Sequence, residues 1–197
     1  MTENSHDWSI ILAAGGSVRF GSAKALAPWQ EGTLLSNIVE IAKDVFSERI
    51  IVVTGGYAKQ VQDHLKSTDF VFNAQWENGI GTSIAAGTAE VLRRDPSAET
   101  ITILPVDQPF ITARHLGKIV TTSRNNLCVL SKDDNTSGPP ATIPSLYFPR
   151  LLALNGTKGL KALLHSEEIE LVPAHYILKD IDTVEDLLLL KGQLKFQ

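Results

Sequence analysis

The sequence predicts an α/β fold of three layers, with helices on both faces of a mainly parallel sheet. Short apolar runs rich in β-branched residues alternate with stretches whose apolar residues recur at helical spacing. Such strand–helix–strand alternation is typical of a parallel sheet covered by helices. The 197 residues are 43% hydrophobic, which is enough apolar material for a core, and no linker or repeat divides them. We therefore expect residues 1–197 to form a single domain.

The first half of the chain supplies the clearest elements. Four buried strands are predicted where β-branched runs are bounded by turn residues, at Ser9–Ala13, Arg49–Thr54, Phe70–Asn73 and Thr100–Leu104. Helices between them are predicted from apolar residues on one side of a helical wheel, at Leu34–Phe46, Ala58–Leu65 and Ser83–Leu92. The loops that follow these strands should share one edge of the sheet, where open α/β sheets hold ligands.

The second half of the chain has a weaker pattern. A strand is predicted over Leu127–Ser131, and the polar segment Lys132–Pro140 (KDDNTSGPP) predicts a loop. A last helix is predicted over Thr183–Gln193, with Asp182 or Thr183 as its N-cap. The remaining elements are two helical pieces and two short strands, predicted at Phe148–Leu154, Lys158–His165, Glu170–Val172 and Tyr176–Ile181.

The composition excludes several classes of protein. A net charge of −4, with both signs interspersed, is unlike that of a general nucleic-acid binder, which needs a basic face. The single cysteine, Cys128, excludes an intrachain disulfide framework and a cysteine-based zinc site. The start, MTENSHDW, does not resemble a signal peptide, and every apolar segment is shorter than the roughly 20 residues of a membrane helix. We expect a cytoplasmic protein that binds neither nucleic acid nor membranes.

The segment Leu12–Lys24 (LAAGGSVRFGSAK) places three glycines and two basic residues directly after the first predicted strand. It is not a dinucleotide fingerprint, because Ser17 stands where the second glycine is required, and not a Walker loop, because Ser22 replaces the lysine. Successive backbone N–H groups can still form an anion-binding concavity, to which Ser17, Arg19 and Lys24 add donors and charge. The alternative is a glycine-rich turn with solvated basic residues.

Three other segments reach the same sheet edge. Asp107 follows the strand Thr100–Leu104 and either holds Mg²⁺ together with substrate phosphates or forms a turn. Asp182 follows another predicted strand and is either a second metal ligand or a helix cap. The segment Asn73–Gly87 feeds a helix whose N-terminus could face an anion, and Trp76 within it either stacks on a base or seats the loop in the core.

Together these segments resemble a known family. The pattern L-A-A-G-x-S-x-R-[F/M]-G-x-x-K is similar to the opening signature of the MobA-like nucleotidyltransferases, which include the molybdenum cofactor cytidylyl- and guanylyltransferases. The spelling LAAG is more similar to the cytidylyl branch, since the guanylyl branch usually has LAGG. The likeness continues in chain order through Glu31–Leu35 (EGTLL), Thr54–Val61 (TGGYAKQV), Asn73–Gly87, Asp107–Pro109 (DQP) and Asp180–Leu187 (DIDTVEDL).

The resemblance implies a Rossmann-like nucleotidyltransferase fold and a Mg²⁺-dependent reaction. In that reaction a nucleoside triphosphate, with CTP favoured, gives its NMP moiety to a phosphorylated acceptor, with molybdopterin favoured. The resemblance also implies that Arg19, Lys24 and Asp107 are catalytic, and that Asp107 and Asp182 bind the metal. The residues that it places against the nucleotide are Leu12, Ala13, Ala14, Gly15, Gly16, Ser17, Arg19, Lys24, Gly79, Ser83 and Asp107.

The chain departs from the family pattern on the acceptor side. The segment Gly156–Lys161 (GTKGLK) stands where the family has G-D-x-G-A-R. Thr157 thus replaces an acid, and Lys161 replaces an arginine whose planar fork a lysine lacks. Two alternatives therefore stay open: a nucleotidyltransferase for a sugar phosphate or another phosphorylated metabolite, and a non-catalytic nucleotide-binding partner of a molybdoenzyme.

Overall fold

The computed structural model describes residues 6–65 and 68–194. The strands within these residues are β1 (Asp7–Ala13), β2 (Pro28–Trp29), β3 (Gly32–Thr33), β4 (Ile50–Thr54), β5 (Asp69–Phe72), β6 (Thr100–Pro105), β7 (Cys128–Lys132), β8 (Ser137–Pro144) and β9 (Ile169–Pro173). The α-helices are α1 (Leu34–Phe46), α2 (Ala58–His64), α3 (Ile80–Arg94), α4 (Ala113–Ser123), α5 (Phe148–Leu152) and α6 (Val184–Leu194). In this part of the chain, no helix has both the length and the apolar character needed to span a membrane.

Seven of the strands form one sheet in the order β5-β4-β1-β6-β8-β7-β9, and β2 and β3 form a small hairpin. Strand β1 pairs in parallel with β4 and β6, β4 pairs in parallel with β5, and β7 pairs in parallel with β9. Strand β8 is antiparallel to both β6 and β7. The predicted α/β fold with a mainly parallel sheet is therefore confirmed. The carboxyl ends of β1, β4, β5 and β6 meet at one edge.

Helices cover both faces of the sheet because alternate residues of each strand point to opposite sides. Ile10 of β1 belongs to an apolar cluster with Ile84 of α3 and with α5, while the next residue, Ile11, belongs to a cluster with Leu35 of α1 and with α4. Ile10 and Ile11 are both fully buried, which stabilises the fold by about 1.5–3 kcal/mol for each side chain. The three predicted layers are present.

A third apolar cluster joins the loop after β1 to the segment before α6. It contains Phe20 from that loop, Trp29 from β2, Ile181 from the segment before α6 and Leu187 from α6 itself. The rings of Trp29 and Phe110 also meet edge to face, with their centroids 5.7 Å apart. This cluster matters for the site because it fixes two chain segments that carry charged side chains.

The best-predicted helix, α1, has the predicted bounds Leu34–Phe46. It begins at Thr33, whose side chain accepts a hydrogen bond from the backbone N–H of Ser36 (3.1 Å), while the Ser36 hydroxyl accepts one from the backbone N–H of Thr33 (2.7 Å). This reciprocal capping satisfies two N–H groups that would otherwise lack partners. Helix α3 begins at Ile80, three residues earlier than predicted.

The predicted loop over Lys132–Pro140 is wrong for its second half, because β8 begins at Ser137 and lies between β6 and β7. Its consecutive prolines predicted a loop, since proline cannot donate to a β-ladder. The register passes from the pair Leu130–Ala141 directly to the pair Ser131–Gly138, so the two prolines between them stand outside the regular ladder with β7. Only the tertiary pairing with β6 and β7 reveals this strand.

Three further differences concern local signals. Helix α4 was not predicted, because Gly117 and several Thr and Ser residues weaken its helical propensity. The predicted strand Tyr176–Ile181 is wrong: Tyr176 has φ +63° and the Ile177 N–H donates to the Ala174 carbonyl (3.1 Å), which makes a turn. Within the predicted helix Lys158–His165, the helical part is a single 3-10 turn.

Candidate active site

A cleft of about 420 Å³ opens at the sheet edge where β1 and β6 end. Its walls come mainly from the loop after β1, the loop after β6, the start of α3 and Asp182, which precedes α6. The structure brings all of the predicted site residues into this one cleft: Leu12, Ala13, Ala14, Gly15, Gly16, Ser17, Arg19, Lys24, Gly79, Ser83, Asp107 and Asp182.

The loop after β1 closes on itself through Ser17. Ser17 and Gly21 have left-handed φ angles of +48° and +76°. The Ser17 carbonyl accepts hydrogen bonds from the N–H groups of Phe20 (3.0 Å) and Gly21 (2.9 Å), and its hydroxyl accepts one from the backbone N–H of Lys24 (3.2 Å). Phe20 is buried in the third apolar cluster. These contacts hold Lys24 close to the start of the loop.

The Trp76 ring explains why this region needs glycine. A Cβ on Gly16 would lie 2.8 Å from Cζ3 of Trp76, one on Gly55 2.7 Å from its Cγ, and one on Gly56 3.1 Å from its Cη2. Gly16 therefore requires glycine for close approach of the ring, and Gly55 requires it for close approach of both the ring and the Ala14 carbonyl oxygen, whereas a side chain on Gly56 would only crowd the ring. Trp76 packs against two loops, as one of its predicted roles requires, and it also lines the cleft. Stacking of a base on Trp76 stays a prediction.

Four charged side chains converge on one side of the cleft, which we call the β6 side and define by Arg19, Lys24, Asp107 and Asp182. Lys24 Nζ lies 2.6 Å from Asp107 Oδ2 and 3.4 Å from Asp182 Oδ1, and Arg19 Nη1 lies 3.0 Å from Asp182 Oδ2. The Lys24 side chain is only 15% exposed, so water screens its contacts less than those of a surface pair. Arg19 is 72% exposed, so water screens its ion pair with Asp182 and the side chain can leave that pair for a ligand.

Asp182 reaches this position through a loop and not, as predicted, at the end of a strand. The Ile181 N–H donates to the Asp107 carbonyl (2.9 Å), and the Ile181 side chain is fully buried in the third cluster. Thr183 caps α6, because its hydroxyl accepts from the Asp186 N–H (3.1 Å) and its own N–H donates to the Asp186 carboxylate (2.8 Å). Asp182 is therefore not needed as the cap, and its side chain lines the cleft.

A second polar contact supports the same corner. Gln108 Nε2 donates to Asp180 Oδ1 (2.9 Å), which ties the loop after β6 to the segment before α6. The pKa of Asp180 is raised above its ordinary value, because the carboxyl is partly withdrawn from water and because the Asp107 and Asp182 carboxylates lie near it; the Gln108 amide opposes the shift. No role is predicted for Gln108 or Asp180 from the sequence, although both lie in family-like motifs.

The two carboxylates of the β6 side can hold one cation between them. The position of the Lys24 ammonium shows this, since a single positive group contacts both Asp107 and Asp182. Carboxylate oxygens are hard ligands, and Mg²⁺ is commonly bound by one or two of them together with substrate phosphates. The residues therefore fit a divalent cation. Within residues 6–65 and 68–194, no group of three or more His, Cys, Asp and Glu side chains could hold a metal ion.

The opposite side of the cleft is formed by the start of α3 and the turn before it. Helix α3 packs against β1, β4 and β5, whereas Asp107 follows β6, so the two sides flank the end of β1. Tyr57 and Glu77 line the cleft as well, and the sequence analysis missed both as site residues. We call this wall the α3 side and define it by Trp76, Gly79, Ile80 and Ser83.

The start of the segment Gly156–Lys161 packs against the turn before α3. A Cβ on Gly79, which has φ +118°, would lie 2.6 Å from the Gly156 carbonyl oxygen, and the Gly81 N–H donates to that same oxygen (3.0 Å). None of residues 156–160 is among those that line the cleft, and the Lys161 side chain lies outside what the structure describes. A role of this segment in acceptor recognition stays a prediction.

Solved structures of similar proteins share this architecture. The chain is 28% identical to the homologue of Mycobacterium tuberculosis Rv0371c from Mycobacterium sp. strain JC1, with a TM-score of 0.82 over 98% of both chains. It is 25% identical to Rv0371c of Mycobacterium tuberculosis in a complex with manganese, with a TM-score of 0.74 over 93% of this chain and 97% of the other. The second protein shows that a similar fold binds a divalent cation.

The sequence match defines the class of protein, and the fold agrees with it. Residues 9–172 match the MobA-like NTP transferase domain, so the protein is a nucleotidyltransferase. The chain belongs to this family, and the resemblance carried by its motifs is confirmed. A relative named molybdenum cofactor cytidylyltransferase, from Escherichia coli (strain K12), is 29% identical over 188 residues, which cover 92% of this chain and 94% of that protein.

Proposed function

We propose that the protein transfers CMP from CTP to a phosphorylated acceptor, most suitably molybdopterin, and releases pyrophosphate. The observation that carries this proposal is the convergence of Lys24, Asp107 and Asp182 at one end of a cleft whose floor is the glycine loop. A triphosphate needs both positive charge and a metal held by carboxylates, and these residues supply the two in one place.

The two sides of the cleft differ in charge, and this difference sets the orientation in which the nucleotide binds. The β6 side carries two basic groups and two carboxylates, so it suits the phosphates and their metal. The α3 side carries the uncharged groups of Trp76, Ile80 and Ser83, so it suits the ribose and base. The backbone of the loop after β1 lies between the two sides, where its N–H groups are available to the phosphate chain.

The chemistry requires charge stabilisation rather than a protein nucleophile, because an acceptor phosphate is itself nucleophilic. Attack on the α-phosphorus of CTP forms the new P–O bond and expels pyrophosphate. Lys24 and Arg19 bind phosphate oxygens and offset the negative charge that develops on them. Mg²⁺ bound by Asp107 and Asp182 would act as a Lewis acid on those oxygens.

Different observations support the choice of CTP as the nucleotide and the choice of molybdopterin as the acceptor. The LAAG spelling at Leu12–Gly15 favours CTP, and the cytidylyltransferase of Escherichia coli is similar over nearly the whole chain. The name of that relative also suggests molybdopterin as the acceptor. Thr157 and the absence of residues 156–160 from the cleft lining favour a second candidate, transfer to another phosphorylated metabolite such as a sugar phosphate.

Pyrophosphate release with separate nucleotides and acceptors tests the proposal. Purified protein is incubated with Mg²⁺ and CTP, GTP, ATP or UTP, in combination with molybdopterin or a panel of sugar phosphates. We expect release with CTP and molybdopterin, and loss of that release in Asp107→Asn. Release with a sugar phosphate alone selects the second candidate. Preference for GTP contradicts the cytidylyl assignment, and nucleotide binding without release from any acceptor contradicts transfer.

A further inference from the structure

The side chain of Asn73 occupies a buried position directly behind the α3 side of the cleft. Asn73 follows β5 and is 4% exposed, and its backbone N–H donates to the Thr54 carbonyl (2.9 Å), which anchors it to the sheet. Its Nδ2 donates to Thr82 Oγ1 (2.8 Å) and to Ser83 Oγ (3.0 Å) in the first turn of α3. Neither the family motif nor the cleft lining gives Asn73 a role.

The orientation of the Asn73 amide is fixed by a donor that cannot reverse. The backbone N–H of Gln75 donates to Asn73 Oδ1 (2.9 Å), and a backbone N–H can only donate. The carbonyl oxygen of the amide must therefore face Gln75, and its NH₂ group must face the two hydroxyls. Thr82 obeys the same polarity, because its hydroxyl has two backbone carbonyls to donate to, those of Gly79 (2.8 Å) and Gln75 (3.0 Å), while it accepts from Asn73.

Because Ser83 Oγ accepts from Asn73, the Ser83 hydroxyl remains available as a hydrogen-bond donor. Ser83 is 4% exposed and lines the cleft. Among residues 6–65 and 68–194, the structure shows one hydrogen bond to Ser83 Oγ, and Asn73 Nδ2 is its donor. The carbonyl one turn back, that of Gly79, already accepts from the backbone N–H of Thr82 (3.2 Å), and among the described residues no hydrogen bond joins it to Ser83 Oγ. The Ser83 O–H therefore has a bound ligand as its natural acceptor.

We propose that Asn73 is a positioning residue that fixes Ser83 as a hydrogen-bond donor to the base of the nucleotide, and that this polarity selects cytosine over uracil. The inference rests on the proposed function, which puts the base on the α3 side. Cytosine has a bare, hydrogen-bond-accepting nitrogen at position 3, whereas uracil has an N–H there. A Ser83 O–H that is held as a donor therefore forms a hydrogen bond with N3 of cytosine. With uracil, the same O–H would face the N3–H group, and two donors would meet without an acceptor.

The Asn73→Asp variant inverts the polarity at nearly unchanged size. One carboxylate oxygen still accepts from the Gln75 N–H, and the other must now accept from Ser83, which then turns a lone pair toward the cleft. We expect the ratio of the dissociation constants for UTP and CTP to fall about tenfold. Loss of the loop structure would weaken binding of both nucleotides alike and would not change their ratio.

Isothermal titration of CTP and UTP, with Mg²⁺ and without acceptor, measures this ratio for the wild type, Asn73→Asp, Ser83→Ala and the double variant. Asn73→Asp should lower the ratio in the wild type and cause no further change in the Ser83→Ala background. Thr82→Val removes the other hydroxyl partner of Asn73 and should keep the wild-type ratio. An equal effect of Asn73→Asp in both backgrounds, an unchanged ratio, or the same loss in Thr82→Val overturns the proposal.

Two further outcomes separate this proposal from the function on which it rests. A wild type that binds CTP and releases pyrophosphate from it, but does not prefer it over UTP, overturns the role of Asn73 alone. A wild type that binds neither nucleotide contradicts the proposed function and the role of Asn73 together. If Asn73→Asp does not fold, Ser83→Ala decides, because retention of the CTP preference in that variant overturns the proposal.

Discussion

Replacement of Lys24 by methionine removes the ammonium that bridges Asp107 and Asp182 while it keeps most of the side-chain length. The 2.6 Å contact with Asp107 joins side chains that are 15% and 24% exposed, so it lies between an exposed pair and a buried one. Exposed pairs contribute about 0–1 kcal/mol, and breaking buried ones costs about 3–5 kcal/mol. We therefore expect Lys24→Met to lower the free energy of unfolding by about 1–3 kcal/mol.

Thermal unfolding with and without metal is the informative assay. In a chain of this length, 1 kcal/mol changes Tm by about 2–4 °C, so the variant should melt about 2–12 °C below the wild type. Mg²⁺ or Mn²⁺ should then raise the Tm of Lys24→Met more than that of the wild type, because the cation no longer competes with the ammonium for the two carboxylates. Turnover should fall by about 10²–10³-fold, since the phosphates lose a donor.

A surface lysine provides the matched control. Lys43 contacts Glu40 at 2.9 Å on α1, neither residue lines the cleft, and the pair is solvent-exposed. Lys43→Met should change Tm by less than about 4 °C and should not alter the effect of metal. Equal metal shifts in Lys24→Met and the wild type would show that the ammonium and the metal do not share a position. Turnover of Lys24→Met within about threefold of the wild type would refute its catalytic role.

Two other predictions follow from local geometry. Gly16→Ala places a Cβ 2.8 Å from the Trp76 ring and should weaken nucleotide binding by displacing that ring. Gly117→Ala, on α4 outside the cleft lining and with nothing within 4 Å of the added Cβ, should bind nucleotide like the wild type in the same titration. The Arg150 guanidinium lowers the pKa of Glu168 from 4.5 to about 2, so the stability that this carboxylate contributes is present above pH 4.5 and is lost as the pH falls toward 2. The difference in urea midpoint between the wild type and Glu168→Gln should therefore narrow over that range, and a constant difference would contradict the ion pair.

Sequence patterns predicted those elements whose signal is local. The β-branched run of β4 is typical of a buried strand, and the helical spacing of apolar residues in α1 is typical of a helix with one buried face. Each pattern lies within a single short segment, so it can be recognised without the rest of the fold. The segment Leu12–Lys24 was informative for a related reason. Its glycines and basic residues are contiguous, so the loop and its charges stay together whatever the rest of the chain does.

Elements that depend on contacts between residues distant in sequence could not be predicted from local patterns. Strand β8 contains consecutive prolines and is a strand because β6 and β7 pair with it on both sides. Helix α4 has weak propensity and is held by burial of Leu116 and Ile119 against the sheet. In both cases, contacts between residues distant in sequence outweigh a local preference of about 1 kcal/mol or less per residue.

The residues of the site show the same difference between local and long-range causes. The sequence by itself determined the chemical groups of the cleft, because Arg19, Lys24 and Asp107 lie in contiguous motifs at predicted strand ends. Only the tertiary structure decided how Asp182 joins them, through the burial of Ile181 and its hydrogen bond to the Asp107 carbonyl. It alone also decided the polarity of Ser83, because a hydroxyl can donate or accept, and the choice depends on partners that the fold brings to it.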